Sequence, residues 1–595
     1  MNINKILDKF QKGEKELAYN LLNQHIIKEP NDLIALYNFA YMSEILNFQE
    51  IAIKKYLYIN KKDIKNWKSR FNLYLIFIKK KKFKEALKLI NQVLKIQTNY
   101  QPALRDRALT NYKLGKYNEA LKDALNSVNL NNKDYIALNV LGITYGALNE
   151  NLKAKEIFIK AIKLNGSYAP SYNNFGNCIL NLGDVDLALS NCLKSLKIDP
   201  EFEEAINNIA NIFLIKGKYK EAIDYYWNAL RKGADEATIY YNIGVAYTFL
   251  KKFEKAEKYY NKSFKINPDD EILKKNYSIL YLAKQEYKKA WQYYDARLNL
   301  NDFVQKNKNI SFTIDKIWHG EKILKNEKLL IIKEQGIGDE IVFSSMYPDL
   351  IKAFPNCKIE TEKRLLSIFQ RSFDKNNNII PYLKFSNSRE HLKEFNKVIY
   401  AGSLGKMFRN NLSDFPKSKF LNADINKIKT IRKQLSAISK KPKIGITWES
   451  KRKIYGQDKS ITLNLLKPIL NLKTFDFINL QYGDTSKEIK DLKKLKIHTI
   501  KNIDLYNDFE SIAALLLNLD LFITISNSTA HLAGALGVPT FLIKPKNHSV
   551  FFYWNVPGDI SPWYPSIKLF QYNTSWEETI DIILKELVDN FNPNL

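Results

Sequence analysis

Alanine stands at positions 18, 52, 86, 120, 154, 188, 222, 256 and 290, and every step is 34 residues. No other feature of the chain restricts its fold as strongly. A period of this length marks one supersecondary unit that cannot bury its apolar face alone and must stack on its copies. The words around the alanines rhyme: KKFKEA, GKYNEA, GDVDLA, GKYKEA, KKFEKA and QEYKKA. An aromatic stands three before the alanine at Phe83, Tyr117, Tyr219, Phe253 and Tyr287. A small residue stands twelve before it at Ala108, Gly142, Gly176, Ala210 and Gly244, and proline twelve after it at Pro30, Pro200 and Pro268. Small residues let two helices approach, the aromatic is expected to fill the gap between them, and proline cannot continue a helix. The pattern predicts helix pairs stacked over about residues 1–298, with a concave binding face.

This spacing resembles the tetratricopeptide repeat, in about nine copies. Fourteen residues before the alanine stands Asn38, Asn72, Asn174, Asn208, Asn242 or Asn276, with Asp106 and Val140 in the gaps. Equivalent positions form a line along one face of such a solenoid. The amides at Asn174, Asn208, Asn242 and Asn276 offer a donor and an acceptor at each step, which suits an extended peptide acceptor. They equally suit bonds from one repeat to the next. A similar ladder is a feature of the repeats of O-linked N-acetylglucosamine transferases.

The ruler stops near residue 298, and a polar linker is expected over 299–327. From Leu329 the pattern becomes strand, turn and helix: KLLIIK, EQGIGDE, IVFSSMYPDLIKAF. Further strand candidates are KVIYA (397–401), KIGITW (443–448), FDFINL (475–480), IHTI (497–500), LFITI (521–525) and TFLI (540–543). Buried strands alternating with helices mean parallel sheets covered on both faces. KKPK at 440–443 opens a fresh strand series after a polar helix at 424–439. The expectation is two doubly wound lobes, 328–440 and 441–595, with ligands bound where strands end. Ser575 to Glu578 reads as a capping box opening the last helix.

The formal charge of +29 at first suggests a nucleic acid partner, but the excess is 16 in residues 1–300 and 13 in residues 301–595. An even spread fits a general Lys/Asn/Ile bias rather than a nucleic-acid patch. Cys178, Cys192 and Cys357 form no disulfide framework or metal pair and fit a reducing compartment. The N-terminus lacks an apolar signal core, and no run approaches the roughly 18 apolar residues of a transmembrane helix. A cytoplasmic protein is expected.

The stretch ISNSTAHLAGALG, Ile525 to Gly537, gathers the smallest residues of this part of the chain around His531. LFITI is a strand, Ser526, Asn527 and Ser528 a turn, and Thr529 the start of a helix. Small residues here let backbone N–H groups and hydroxyls approach an anion at a helix N-terminus. His531 could donate to a phosphate, or it could be a capping or core residue of a tight turn.

Together, EQGIGDEIVFS (334–344), AGSLGKMFR (401–409), IGITWESKRKIYGQDKSI (444–461), INLQYGD (478–484), DLFITISNSTAHLAGALGVPTFLI (520–543) and SPWYPSIKLFQ (561–571) resemble, in order and spacing, a known group. These are tetratricopeptide proteins fused to a glycosyltransferase domain of the lipopolysaccharide heptosyltransferase type, family 9-like. The resemblance implies an α-solenoid followed by an α/β half of two Rossmann-like lobes, the GT-B fold. Lobe 328–440 then takes the acceptor and lobe 441–595 the nucleotide sugar. Asp339 matches a proposed base for the acceptor hydroxyl. At a helix start the dipole favours its anion, so it could also orient the hydroxyl or act as a plain N-cap. Ser450 matches a hydroxyl that meets phosphate and Lys459 a cation that neutralises the departing diphosphate. Ser526, Ser528, Thr529 and His531 match the phosphate-binding turn. The family turn starts with Asp-Thr, and here it is Ser526-Asn527, which leaves the donor's identity open.

GIGDEI lacks the third glycine of a dinucleotide fingerprint. The second half has no Asp-x-Asp pair to hold a metal, and the one such spacing, Asp184-Val185-Asp186, reads as surface. The resemblance therefore implies metal-independent transfer with no cofactor, from a nucleotide sugar to a protein or glycan acceptor that the repeats select. The other reading is a scaffold whose glycosyltransferase-like half is inactive.

Overall fold

The computed structural model describes residues 3–300, 316–321, 327–382, 394–450, 459–492, 495–544, 552–554, 556–572 and 575–589. The linker expected over 299–327 lies largely outside these residues. The chain divides into two compact units, Met1–Asp235 and Glu236–Leu595.

The first unit is an α-solenoid of seven helix pairs, from Ile3–Gln11 to Tyr219–Arg231. Its ruler alanines Ala18, Ala52, Ala86, Ala120, Ala154, Ala188 and Ala222 are fully buried. The small residue twelve before them is dictated by close approach: a Cβ on Gly142 would sit 2.6 Å from the Phe158 ring, and one on Gly176 2.6 Å from Cys192 Sγ. The aromatic three before the alanine is not uniformly enclosed: Tyr219 is buried, Phe83 half-buried and Tyr117 exposed. Phe83, Tyr117 and Tyr219 open the second helix of their pair, and Tyr117 is 38% exposed. The space between helices is filled by the residue four after the alanine, one turn on along the same face, at Tyr56, Phe158 and Tyr226. The residue five before the alanine has positive φ in every turn, as at Asn47, Lys81, Gly115, Asn149, Gly183 and Gly217. Glycine and asparagine adopt this conformation readily, and lysine does so at a cost.

The second unit begins with two more helix pairs, Glu236–Phe249 with Phe253–Ile266 and Glu271–Ala283 with Tyr287–Tyr294. The division thus falls well before residue 298, because these pairs share a core with the α/β half. Tyr287 packs on Phe415 with ring centroids 4.6 Å apart, and Trp291 Nε1 donates to the Arg409 carbonyl at 2.7 Å. A Cβ on Gly405 would lie 2.5 Å from the Trp291 ring.

Two parallel sheets follow. The first has the order β3-β2-β1-β4, with β1 Leu329–Ile332, β2 Lys358–Thr361, β3 Ile379–Pro381 and β4 Lys397–Tyr400. The second has the order β10-β11-β9-β8-β5-β6-β7. Its strands are β5 Lys443–Ile446, β6 Asp476–Asn479, β7 Ile497–His498, β8 Leu521–Ile525, β9 Thr540–Ile543, β10 Ile560–Ser561 and β11 Tyr564–Phe570. Only the β10–β11 pairing is antiparallel among the described strands. Successive residues of β1 enter different cores, Leu329 and Ile331 on one face, Leu330 and Ile332 on the other. Burial on both faces explains why these strands read as unbroken apolar runs. All the strand candidates from the sequence are strands. β2, β3, β10 and β11 were not among them, since each is short or interrupted by charged residues or proline. The strand order reverses between β1 and β4 in one sheet and between β5 and β8 in the other, which opens a crevice at the carboxyl ends of those strands.

Candidate active site

The two crevices carry the two turns singled out in the sequence, and the turns meet. After β1 the chain passes Gln335 at φ 60° and enters the helix Ile337–Ser344. Asp339 occupies its first turn, and its Oδ2 accepts the Gly336 N–H at 3.3 Å. After β8 the chain enters the helix Ser528–Leu536, one residue earlier than expected, with Asn527 as N-cap. A Cβ on Gly338 would lie 2.9 Å from His531 Cδ2, so the glycine backbone sits directly on the imidazole. Gly338 is therefore required by close approach, a role its place in a Gly-rich turn did not reveal.

The Ser526-Asn527 departure has a local mechanical role. Asn527 Oδ1 accepts the Ala530 N–H at 2.8 Å, and its Nδ2 donates to Thr447 at 2.9 Å and Thr524 at 3.3 Å. One amide thus caps the helix and ties the ends of β5 and β8. An aspartate could cap but could not donate. Ser526 Oγ accepts Trp554 Nε1 at 3.1 Å and is buried. Ser528 is half-buried, and Thr529 is buried. Gly534 fits the same helix against β11, since a Cβ there would lie 2.5 Å from Tyr564 Cγ.

His531 is only 3% exposed. It stacks on Trp554 with centroids 4.7 Å apart, meets Tyr553 edge-on at 4.6 Å, and its Nδ1 is 3.0 Å from Tyr564 Oη. Burial, followed by the charge of nearby Lys459, pushes its pKa down to about 3, so the ring is neutral. Tyr564 is held well above its ordinary value by burial and then by the charge of Asp339. Lys459, Asp339, His531 and Tyr564 are thereby within electrostatic reach across the two sheets. Lys459 is buried, and the neighbouring Ser460 Oγ accepts the Ser450 N–H at 2.9 Å. Gln481 shapes the same loop: its Oε1 accepts the N–H groups of Trp448 at 3.0 Å and Glu449 at 2.9 Å.

Tyr553 and Trp554 were missed by sequence reasoning because they come from a segment with no motif of its own, and Tyr564, although inside SPWYPSIKLFQ, was given no role there. Glu340 was missed because it reads as the helical neighbour of Asp339. It is 1% exposed; Oε1 accepts the Glu362 N–H at 2.9 Å, and Oε2 lies 3.5 Å from Lys333 Nζ. Burial pushes it up to about 7 against the pull of Lys333.

The asparagine ladder makes bonds of its own. In the first unit Asn174 Nδ2 donates to Asn139 Oδ1 at 3.1 Å and Asn208 Nδ2 to Asn173 Oδ1 at 2.8 Å. In the second, Asn276 Nδ2 donates to Tyr241 Oη at 3.0 Å and to the Ile272 carbonyl at 2.8 Å. Asn242 is half-buried. Of the two uses left open by the sequence, these contacts supply the bond between repeats. Asp184 caps the helix Val185–Ile198, and Asp186 pairs with Lys216 at 2.5 Å on the surface.

Tetratricopeptide-repeat models match residues 237–270, and 135–168, 169–202 and 203–231. The chain therefore carries tetratricopeptide repeats. It is 31% identical over 292 residues to Protein FlbA of Caulobacter vibrioides, a match covering 46% of this chain and 48% of that one. The chain thus spans about half the length of the curated relative it matches. Among solved structures it is similar to a tetratricopeptide repeat protein from Parabacteroides merdae (19% identity, 41% of this chain, 96% of that chain, TM-score 0.36). It is also similar to YrrB, described as a TPR protein with an unusual peptide-binding site (20% identity, 31% and 94% covered, TM-score 0.23). No helix among the described residues is long and apolar enough to cross a membrane.

Proposed function

We propose that the α/β half is a GT-B glycosyltransferase similar to the lipopolysaccharide heptosyltransferases, moving a sugar from a nucleotide-diphosphate donor to a protein or glycan acceptor. The observation that carries this reading is the meeting of the two turns, Gly338 against His531, each at the point where its sheet reverses strand order. That arrangement brings an acidic helix start from one sheet to a helix N-terminus and a buried lysine from the other.

The roles follow from the chemistry. The N–H groups of Ser528 and Thr529, which precede the one bonded by Asn527, bind the diphosphate together with the Ser528 hydroxyl, and Ser450 meets a phosphate oxygen. Lys459 balances the charge that grows on the diphosphate as its bond to the anomeric carbon breaks. The acceptor oxygen bonds that carbon, and Asp339 orients its hydroxyl and takes its proton. His531, neutral and enclosed, supports the turn through its stacking and hydrogen bond rather than as a cation. No metal is needed in this scheme, and no cofactor.

The repeats select the acceptor. The ladder amides donate to their neighbours, but the Oδ1 atoms of Asn174, Asn208 and Asn276 remain suited to accept peptide N–H groups. Replacing all four ladder residues by alanine is expected to lower transfer to the acceptor while nucleotide release by hydrolysis persists. A variant that transfers normally rejects that role.

The deciding experiment incubates the protein with a panel of nucleotide sugars, with and without EDTA, and follows release of nucleotide. Release in both conditions is expected. Activity lost in EDTA and restored by a divalent metal contradicts the metal-free scheme. The enclosure of His531 favours one second reading, a repeat scaffold with an inactive α/β half. No binding or release with any donor selects it.

A further inference from the structure

The helical turn Asp295–Asn299, which follows the last repeat helix, carries Arg297, and Arg297 is 6% exposed. Its Nε and one terminal nitrogen grip both oxygens of Glu334, at 3.0 and 2.6 Å. The same nitrogen donates to Ser403 Oγ at 3.0 Å, and the other donates to the Tyr294 carbonyl and to Asp295 Oδ1, both at 3.0 Å. Glu334 Oε1 also accepts the Gly402 N–H at 2.6 Å. Ser403 and Lys406 close the group on Asp295, at 2.5 and 3.1 Å. The guanidinium lies over the Tyr294 ring, 4.2 Å from its centroid. Every charge in the group has an opposite partner in hydrogen-bond contact, the condition under which a buried ion pair holds a geometry.

The position of this group in the fold gives it meaning beyond packing. Glu334 lies two residues after β1 and immediately before the Gln335–Gly338 turn. Gly402 and Ser403 lie just after β4. The pair β1 and β4 flanks the point where the first sheet reverses its strand order. One arginine from the repeat side therefore holds both lips of that crevice. There is no room for a substitute on the opposite lip, since a Cβ on Gly402 would lie 2.7 Å from Glu334 Oε1 and 3.0 Å from Arg297.

We propose that Arg297 is a positioning residue for the turn that carries Asp339, so that the end of the repeats is a working part of the acceptor side of the site. The assignment of Asp339 to acceptor chemistry rests on the glycosyl-transfer reading above. The clamp itself does not, and the experiment separates the two. A planar fork suits the task because it grips both carboxylate oxygens at once, which a lysine cannot do.

The test compares the full chain with Arg297→Lys, Arg297→Gln and Ser403→Ala. The last removes one arm of the clamp and keeps the ion pair, so it serves if the arginine variants fold poorly. Amide hydrogen exchange is read by peptide, and nucleotide diphosphate binding by calorimetry. Exchange is expected to rise at 333–344 and 400–406 in the order Ser403→Ala, Arg297→Lys, Arg297→Gln. The peptides of β8 and β9 and the affinity for nucleotide stay at parental values. Where the parent transfers sugar, kcat falls by about 10²-fold in Arg297→Gln, as expected for a slight misplacement of the reacting groups, with donor KM unchanged. Unchanged exchange at 333–344 in Arg297→Lys and Ser403→Ala overturns the proposal, as does a parallel rise in β8 and β9, which is the mark of a merely structural residue. A parent that releases no nucleotide from any donor, with the exchange pattern as expected, removes the glycosyl-transfer reading and leaves the clamp standing.

Discussion

The turn after β1 and the turn after β8 begin from the same plan, an apolar strand running into small residues at a helix start, and they end in opposite states. The Gly336 turn keeps a carboxylate, Asp339, half-exposed in its first helical turn and bonded to a backbone N–H. The Asn527 turn uses its cap to join two strands and encloses His531 among Tyr553, Trp554 and Tyr564. One turn keeps a charged group at the crevice. The other provides a rigid wall of neutral donors. The glycosyl-transfer proposal uses both, the carboxylate as proton acceptor and the second turn as part of an electrostatic cradle.

The largest expected effect tests the acidic turn. Asp339→Asn should lower turnover by about 10²–10⁴-fold if the carboxylate takes a proton, with donor affinity nearly unchanged. Turnover and calorimetry on one preparation decide it. Loss of nucleotide binding in this variant would reverse the assignment of the two turns.

Lys459→Ala should do the opposite, weakening nucleotide binding by about 1–3 kcal/mol for a lost charge-assisted bond. Equal affinity in variant and parent would remove Lys459 from the cradle.

Gly338→Val attacks the contact between the turns. Its Cβ alone would lie 2.9 Å from His531 Cδ2, so the helices must move apart. A stability loss of about 1–3 kcal/mol is expected in denaturant melts. A double variant with His531→Ala should recover part of it, and strict additivity would mean that the two residues do not touch in solution.

The smallest effect separates the turns by pH. Glu340 binds its proton more tightly in the folded state, so its contribution is full below its ordinary value of 4.5 and is lost as pH rises toward about 7. His531 binds its proton more weakly when folded, so its contribution is full above 6.5 and is lost as pH falls toward about 3. Glu340→Gln should therefore remove part of the decline in stability between pH 5 and 8, on the order of 1 kcal/mol. His531→Phe should remove part of the decline below pH 6. Melting curves that track the parent across both ranges would reject the pair.

Much of this architecture is legible in the residues. The alanine period predicts the helix pairs, and apolar runs between polar turns predict β1 and β4 to β9. Strands were missed where their pattern is short or mixed: β3 is Ile379-Ile380-Pro381, and β11 carries Pro565 and Lys568 within its run. The two strand–helix turns were legible as well, since small residues between an apolar strand and a helix mark a tight turn. The aromatic enclosure was not. Tyr553 and Trp554 precede β10 and reach His531 only because β11 carries Tyr564 alongside the helix Ser528–Leu536.

Local patterns such as a 34-residue period, strand alternation and capping residues act over a few turns of chain, and the sequence alone determines them. Which groups meet across long separations depends on packing. The end of the repeats reads as the edge of a separate solenoid, yet Trp291 bonds Arg409 and Arg297 grips Glu334 in a shared core. The asparagine ladder suits a peptide track and bonds between repeats equally well in the sequence, and only the fold shows its donors bonding Asn139, Asn173 and Tyr241. A buried polar group must find a partner wherever the fold provides one, and no spacing along the chain records which partner that is.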